Sequence, residues 1–533
     1  MKTLLALFLL FLLGACQEKK QKSSQTIYYN MNGEPSTINP MSSSADSYTM
    51  ELHSYIFEGL LERDLETYEW KPALATAWKI SDDKKVFDFK LREGVKWQDG
   101  VELTAEDIKY SLDVIFTDDY GSVFMRPFFE SVKEVQVIDK YNVRFILKDD
   151  LFQNFSNCAT LPILPKHFYT NPENKKDFNR KLIGTGPYVY SKHEKGQKLV
   201  LTKNPAWWGN TDEKEKNTNT IQKIVYRFVK DENVQLELLK KGDLDFLGLR
   251  PEAFVKKTEG KIWEEKITKV KTENKTPKGY NFIGWNLKNP ILKDREVRHA
   301  LALLFNRNLM REKFEFNISE DATGPIYVQS DYASPNLKPV PFDPKLSLEI
   351  LTKNGWKDSD KDGTLDKVIN GKKTDLSLTI LEPNPDMMKY LTIYKEDASK
   401  VGVEINLKNI EWNSFIKLLD EKKFEGVRLA WGGGSIDWDP KQVWHSSSAK
   451  GNGSNFVSYA NPEVDRLIDE ARKIYDKEKR VEMLRRVDEI IANDYPYVFF
   501  FNNKYSMYGT TKRVERPKDT FTYGLGQQYW KLK

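Results

Sequence analysis

The sequence predicts a mixed α/β fold spread over two or three domains. Strand-like period-two stretches alternate irregularly with helix-like period-3.6 stretches, and hairpins are mixed in, which argues against a regular βαβ array. A chain of 533 residues is too long for one hydrophobic core. No segment repeats at a solenoid period.

The elements follow in order. Thr26 to Asn30 reads as a first strand, and Glu34 to Pro40 as a turn-rich loop. Ser47 to Leu61 is expected to be a helix closing at Glu58-Gly59-Leu60. Val86 to Leu91 alternates apolar and polar residues, as a half-buried strand does. Gly94 to Gly100 is a loop whose glycines permit tight turns. Thr104 is placed to cap the next helix with Asp107 at N3, and Ile108, Leu112 and Ile115 share one face. Val132 to Ile138 and Asn142 to Leu147 form a predicted hairpin.

Gly184-Thr185-Gly186-Pro187-Tyr188 turns into a strand, and Leu199 to Thr202 and Ile221 to Val229 are further strands. Thr211 to Thr220 is of low complexity. Asn233 to Lys241 is a helix stopped by Gly242. Asp294 caps a helix with Val297, Leu301, Leu304 and Phe305 inward. Leu346 to Leu351 is a short helix, Leu376 to Leu381 a strand, Lys389 to Lys400 a helix and Val403 to Leu407 a strand. A helix starts near Trp412. Val427 to Trp431 is a strand entering Gly432-Gly433-Gly434. Asn461-Pro462 opens a helix with proline at N1, and Asp476 caps the next. Val498 to Phe501 and Tyr505 to Tyr508 are late strands.

The N-terminus predicts the compartment. Lys2 precedes an apolar run, Leu4 to Leu13, that is short for a membrane span and suited to a signal peptide. Leu13-Gly14-Ala15-Cys16 has the small residues before a cysteine that lipoprotein processing needs, so Cys16 is the expected lipidation site and membrane anchor. Gln17 to Gln25 reads as a polar tether. The expected localisation is the periplasm or cell surface. The 83 Lys and Arg are interspersed with 78 Asp and Glu for a net +5, which is no nucleic-acid footprint. Cys158 is then the one remaining cysteine. That excludes a disulfide framework, and a buried inert thiol is expected.

Several motifs occur in an order that resembles the family 5 extracellular solute-binding proteins, the peptide and nickel receptors of ABC importers. The stretch Leu91-Arg92-Glu93-Gly94-Val95-Lys96-Trp97-Gln98-Asp99-Gly100, then Thr104-Ala105-Glu106-Asp107-Ile108, is the most specific. Gly184 to Tyr188, Asn204-Pro205 with Trp207-Trp208, Gly242 to Asp245, Asp294 to Ala300, Asn461-Pro462-Glu463 and Asp494-Tyr495-Pro496 complete the series. Gln98 stands where the family usually has His. The resemblance implies a two-lobed, hinged fold of the periplasmic-binding-protein type (class II) with three domains. The expected division is domain I at 26–55, 184–285 and 505–533, domain II at 56–183, and domain III at 286–504. The motifs are expected to define the fold more than the ligand.

The implied ligand is an oligopeptide, and the implied partners are the permease subunits of an ABC transporter. A buried zwitterion needs both ends paired. Family peptide receptors place an Arg three residues before a Trp, with an Asp in the following loop. Arg428, Trp431 and Asp437 carry that pattern here, with Asp437 one residue later than the family's usual aspartate. Gly433 could bring backbone close to a ligand or serve a plain turn. Arg428 reads equally as a ligand contact or as a surface strand residue.

Alternatives stand beside the peptide reading: the same fold with a metal chelate, haem, sugar or opine; a secreted enzyme; or a signalling receptor. Five scattered histidines offer no cluster for a bare metal. No HExxH, GxSxG, Walker loop or CxxC is present, so no catalytic residue, cofactor or metal is assigned. Asp358 to Asp366 has the opening of a calcium loop, but Ile369 stands where a bidentate Glu is needed, so a solvated turn is expected. The expected state is a monomer.

Overall fold

The computed structural model describes residues 25–41, 47–118, 120–175, 181–450 and 454–533. The expected signal peptide and Cys16 lie outside the described residues. The chain begins with β1 (Thr26–Met31) and α1 (Ser47–Ile56). It continues through β2 (Ala75–Ile80), β3 (Val86–Leu91), α2 (Ala105–Asp113) and the hairpin β4 (Val132–Val137) and β5 (Asn142–Leu147). Then come β6 (Tyr188–Glu194), β7 (Lys198–Lys203), β8 (Lys223–Phe228), α3 (Glu232–Lys241), β9 (Phe246–Gly248) and β10 (Ile267–Thr272). Two four-stranded sheets result, β1-β8-β7-β6 and β2-β3-β5-β4. They share one apolar core that runs from Ile27 to Phe145 and Tyr226.

The chain then crosses into a six-stranded sheet. Its members are β11 (Tyr280–Trp285), β12 (Glu320–Asp321), β13 (Ser377–Glu382), β14 (Glu404–Asn409), β15 (Gly426–Trp431) and β16 (Tyr497–Asn502), in the order β12-β16-β11-β15-β13-β14. The helices α4 (Arg295–Leu303), α5 (Met388–Ser399), α6 (Trp412–Asp420), α7 (Pro462–Ala471) and α8 (Lys477–Asp494) belong to this part. Apolar cores cover both faces of the sheet. A last strand, β17 (Ser506–Thr511), returns to pair with β9 and β10. The link between the two lobes is therefore double. β10 and β17 are antiparallel partners in one lobe, and their continuations β11 and β16 are antiparallel partners in the other.

β11 is a strand that the sequence patterns do not predict. Its pairing with β15 and β16 puts it in the six-stranded sheet. Its two faces are both buried, so it lacks the period-two signature that reveals a one-sided strand. The expected helix Ser47–Leu61 ends earlier, at Ile56. The reason is the Gly184-Thr185-Gly186 turn: Gly186 N–H donates to Ile56 O at 2.9 Å. A Cβ on Gly184 would lie 1.8 Å from that oxygen, so only glycine permits the approach.

The other motifs also hold the fold. Thr104 and Asp107 form the expected capping box. The Trp207 and Trp208 indoles each donate to Glu58 at 3.0 Å. Asp245 accepts from the Tyr28 amide at 3.0 Å, the Thr511 hydroxyl at 2.8 Å and Arg513 Nε at 2.7 Å. It thereby ties β1 to the last segment of the chain. Arg298 donates to the carbonyls of Leu292 and Asp494. Cys158 is buried and free, and burial pushes its thiol pKa up.

Asp488, on α8, is fully buried and accepts the Ser334 amide at 2.8 Å, while its Oδ1 has no hydrogen-bond partner among the described residues. Burial raises its pKa from an ordinary 3.8 to about 7. A carboxyl raised in this way destabilises the fold above its folded pKa, and the penalty is relieved as pH falls from 7 towards 4. The full penalty is on the order of 4 kcal/mol. Asp488→Asn cannot ionise, so its melting temperature should fall less than that of the wild type between pH 5.5 and 8.5. Parallel melting profiles over that range would refute this.

Candidate functional site

Parallel strands β13, β14 and β15 all end at one edge of the six-stranded sheet. In open α/β sheets, ligands bind outside the carboxyl ends of such strands. This edge faces the other lobe. Arg250 of the first lobe pairs with Asp386, just after β13, at 2.9 Å. The rings of Tyr48 and Trp412, at the start of α6, lie 5.9 Å apart. Beyond β15, the Gln153 amide donates to the backbone carbonyl of Asp437 at 2.9 Å. The cleft thus lies between the double-stranded link at one end and these contacts at the other.

The expected site residues all lie on β15 or in the loop after it, but their surroundings differ. Strand alternation sends Val427, Leu429 and Trp431 to one face of the sheet and Arg428 to the other. Trp431 is half-buried, its indole donates to Tyr497 OH at 3.2 Å, and its ring centroid lies 5.7 Å from that of Phe456. Gly433 abuts the crossover: a Cβ there would stand 1.7 Å from Pro277 O. This contact accounts for glycine at 433 by backbone packing.

Asp437 keeps 37 % of its side chain exposed. Its Oδ1 accepts from Tyr332 OH at 2.9 Å and from Arg480 at 3.2 Å. Arg480 also stacks on Phe152 of the first lobe, 4.0 Å from the ring centre.

Arg428 is only 7 % exposed and donates to Asn281 Oδ1. Its Nε stands 3.6 Å from Oε2 of Glu382, which is fully buried at the end of β13. Neither of those two atoms has a hydrogen-bond partner among the described residues. Burial lowers the Arg428 pKa, with Glu382 opposing. Burial raises that of Glu382 to about 7, with Arg428 and then Arg250 opposing. The Tyr390 phenol, bonded to Glu315, completes the surroundings.

Sequence reasoning missed the cross-lobe residues. Arg472, directly after α7, donates to Asp439 at 2.9 Å, to Glu130 of the first lobe at 2.6 Å and to the Pro127 carbonyl at 3.2 Å. Lys441 joins Glu130 at 2.9 Å. The Phe152 amide donates to Arg472 O at 2.9 Å. The available signal was weak: a charged residue at the end of an apolar strand for Glu382, and nothing for partners hundreds of residues apart. Asp358, Asp360 and Asp362 converge to within 4.8 Å on the surface. Asp358 accepts the Asp362 and Gly363 amides at 3.1 Å, and Lys373 pairs with Asp360, so the loop is a hydrogen-bonded turn.

The two lobes, the double link and the strand edge that faces the other lobe define a hinged solute-binding protein. Residues 69–455 match the family described as bacterial extracellular solute-binding proteins, family 5. The chain belongs to that family. It is 30% identical over 495 residues to the oligopeptide-binding protein AppA of Bacillus subtilis, covering 89% of this chain and 86% of the relative. The structure of Bacillus subtilis AppA in complex with a nonapeptide superposes with a TM-score of 0.84 at 26% identity, covering 95% and 99% of the two chains. NikZ from Campylobacter jejuni in complex with Ni(L-His) superposes with a TM-score of 0.79 at 25% identity, covering 96% and 100%. Among the described residues no helix is long and apolar enough to cross a membrane.

Proposed function

We propose that this protein is the extracytoplasmic receptor of an ABC importer and that it encloses an oligopeptide between its lobes, with the peptide carboxylate at Arg428. The observation that carries the ligand assignment is the incompletely paired guanidinium of Arg428 at the carboxyl edge of the sheet. Its Nε makes no hydrogen bond among the described residues, an unmade bond on a buried charge is costly, and a planar guanidinium can hold a carboxylate through two parallel hydrogen bonds. The similarity to AppA, solved with a nonapeptide, supports a peptide in particular. Trp431 offers an apolar wall, and Asp437 keeps an exposed carboxylate face beside the cleft. Cys16, acylated after signal cleavage, is the proposed membrane anchor. The receptor is proposed to act as a monomer, to carry out no catalytic turnover, and to divide into three domains about the double link.

The test is native mass spectrometry of the purified protein after incubation with a pool of free-acid tri- to nonapeptides. A peptide adduct at one per chain, with the pool chemically unchanged, is expected. A retained nickel–histidine adduct in place of peptide would favour the chelate reading, which the likeness to NikZ supports. Cleavage of the pool in excess of the protein would move the reading to an enzyme.

A further inference from the structure

The placement of Glu382 has a chemical consequence for the proposed site. Its carboxylate is the internal counter-ion of Arg428, 3.6 Å away, and it is fully buried. One oxygen is fixed: Oε1 accepts the Asn384 amide at 2.6 Å. The other, Oε2, points towards Arg428 and has no hydrogen-bond partner among the described residues. A ligand carboxylate arriving at Arg428 would therefore meet a second carboxylate that cannot turn away into solvent.

A second carboxylate brought to the same buried guanidinium raises the cost of keeping both carboxylates ionised. The surroundings decide which one takes the proton. Arg428 faces Glu382 from β15, and Arg250 reaches it from the first lobe. Arg250 is itself paired with Asp386 and keeps 35 % of its side chain exposed, so it remains open to an incoming anion. The Tyr390 phenol is committed to Glu315, and Asn281 to Arg428. A peptide carboxylate is intrinsically the stronger acid and would gain both guanidiniums. Glu382 already binds its proton near neutrality.

We infer, resting on the ligand reading above, that carboxylate binding at Arg428 is coupled to the uptake of one proton by Glu382. The proton comes from solvent and bonds to Oε2. The resulting O–H then donates towards the ligand carboxylate, which replaces a repulsion by a hydrogen bond. The sign follows. Binding raises the Glu382 pKa further, so the complex holds more protons than the free protein. Affinity therefore falls as pH rises above about 7, by up to roughly tenfold per unit, and levels off below it.

The experiment is titration calorimetry with the peptide recovered from the pool, in phosphate, HEPES and imidazole at pH 7.0, where the peptide's α-amino group is still mostly protonated. The observed enthalpy is plotted against buffer ionisation enthalpy. The expected slope is about 0.5 proton taken up per peptide, against at most about 0.2 from the α-amino group alone. Glu382→Gln is expected to take up no more than about 0.2 proton at pH 7.0, the share of the peptide's α-amino group, and to lose affinity between pH 7 and 8.5 only as that group deprotonates. A wild-type uptake no larger than that α-amino share, with binding intact, overturns the inference and leaves the ligand reading standing. Proton release also overturns it, since that is the signature of an ammonium group seated on Glu382. The C-terminally amidated form of the peptide separates the two claims. If it binds as tightly as the free acid, the carboxylate reading fails and the inference with it. The same holds if no peptide binds. Because the wild-type proton count stands alone, the inference remains falsifiable even if Glu382→Gln folds poorly.

Discussion

Arg428→Ala is expected to weaken peptide binding by a few hundredfold or more. Removing one partner of a buried charge pair costs about 3–5 kcal/mol, and each 1.4 kcal/mol is about tenfold in affinity. The variant also deprives Glu382 of its counter-ion, so stability and binding must be read apart. Glu382 protonates near pH 7, so at pH 6 it is mostly neutral and tolerates the loss of Arg428. Melting curves of the empty protein at pH 6 should therefore shift little. At pH 8 they should fall further, and Glu382→Gln in the same chain should restore them without restoring binding. Arg428→Lys should also lose affinity, because a point charge cannot reproduce the planar two-bond grip on a carboxylate. Affinity that survives Arg428→Ala within a few-fold would reduce Arg428 to a structural partner of Asn281 and Glu382.

Arg472→Ala is expected to open the lobes and to lower affinity by about tenfold to a hundredfold, chiefly through faster release. Its guanidinium is only 5 % exposed and bridges Asp439 in one lobe to Glu130 and the Pro127 carbonyl in the other. In the closed form its removal strands Asp439, whose side chain is 10 % exposed, and leaves Glu130 with Lys441 alone. In an opened form both carboxylates regain water. The penalty therefore falls on closure. Solution scattering of the ligand-free variant should give a larger radius of gyration than the wild type, with a smaller difference once ligand is saturating. Glu130→Gln should reproduce part of the effect, because it takes the charge out of the cross-lobe bonds to Arg472 and Lys441 and leaves the Arg472–Asp439 pair intact. Unchanged radius and affinity in both variants would assign the cluster to packing alone.

Much of the architecture is legible in local chemistry. Thr104 with Asp107, Asp294, Asn461 and Asp476 each cap the helix that the sequence places after them. Gly242, at φ +74°, ends α3. These features depend on residues within one turn of each other, where spacing alone determines who meets whom. The one-sided strands β3 and β5 show their alternation for the same reason. β11 does not, because a strand buried on both faces carries no contrast between them.

The site divides along the same line. The resemblance to the family's Arg, Trp and Asp pattern pointed to Arg428, Trp431 and Asp437, and the triple glycine to Gly433; one strand and its loop carry them all. What each one touches was decided by contacts far apart in the chain: Arg428 with Glu382 at 3.6 Å, Gly433 with Pro277, Asp437 with Arg480 at 3.2 Å, and Arg472 with Glu130 at 2.6 Å. A pattern of residue types specifies which face of a strand a side chain takes. It carries no record of the partner that a crossover 150 or 340 residues away brings opposite, to within roughly 3 Å, and a buried charge gains or loses most over that distance.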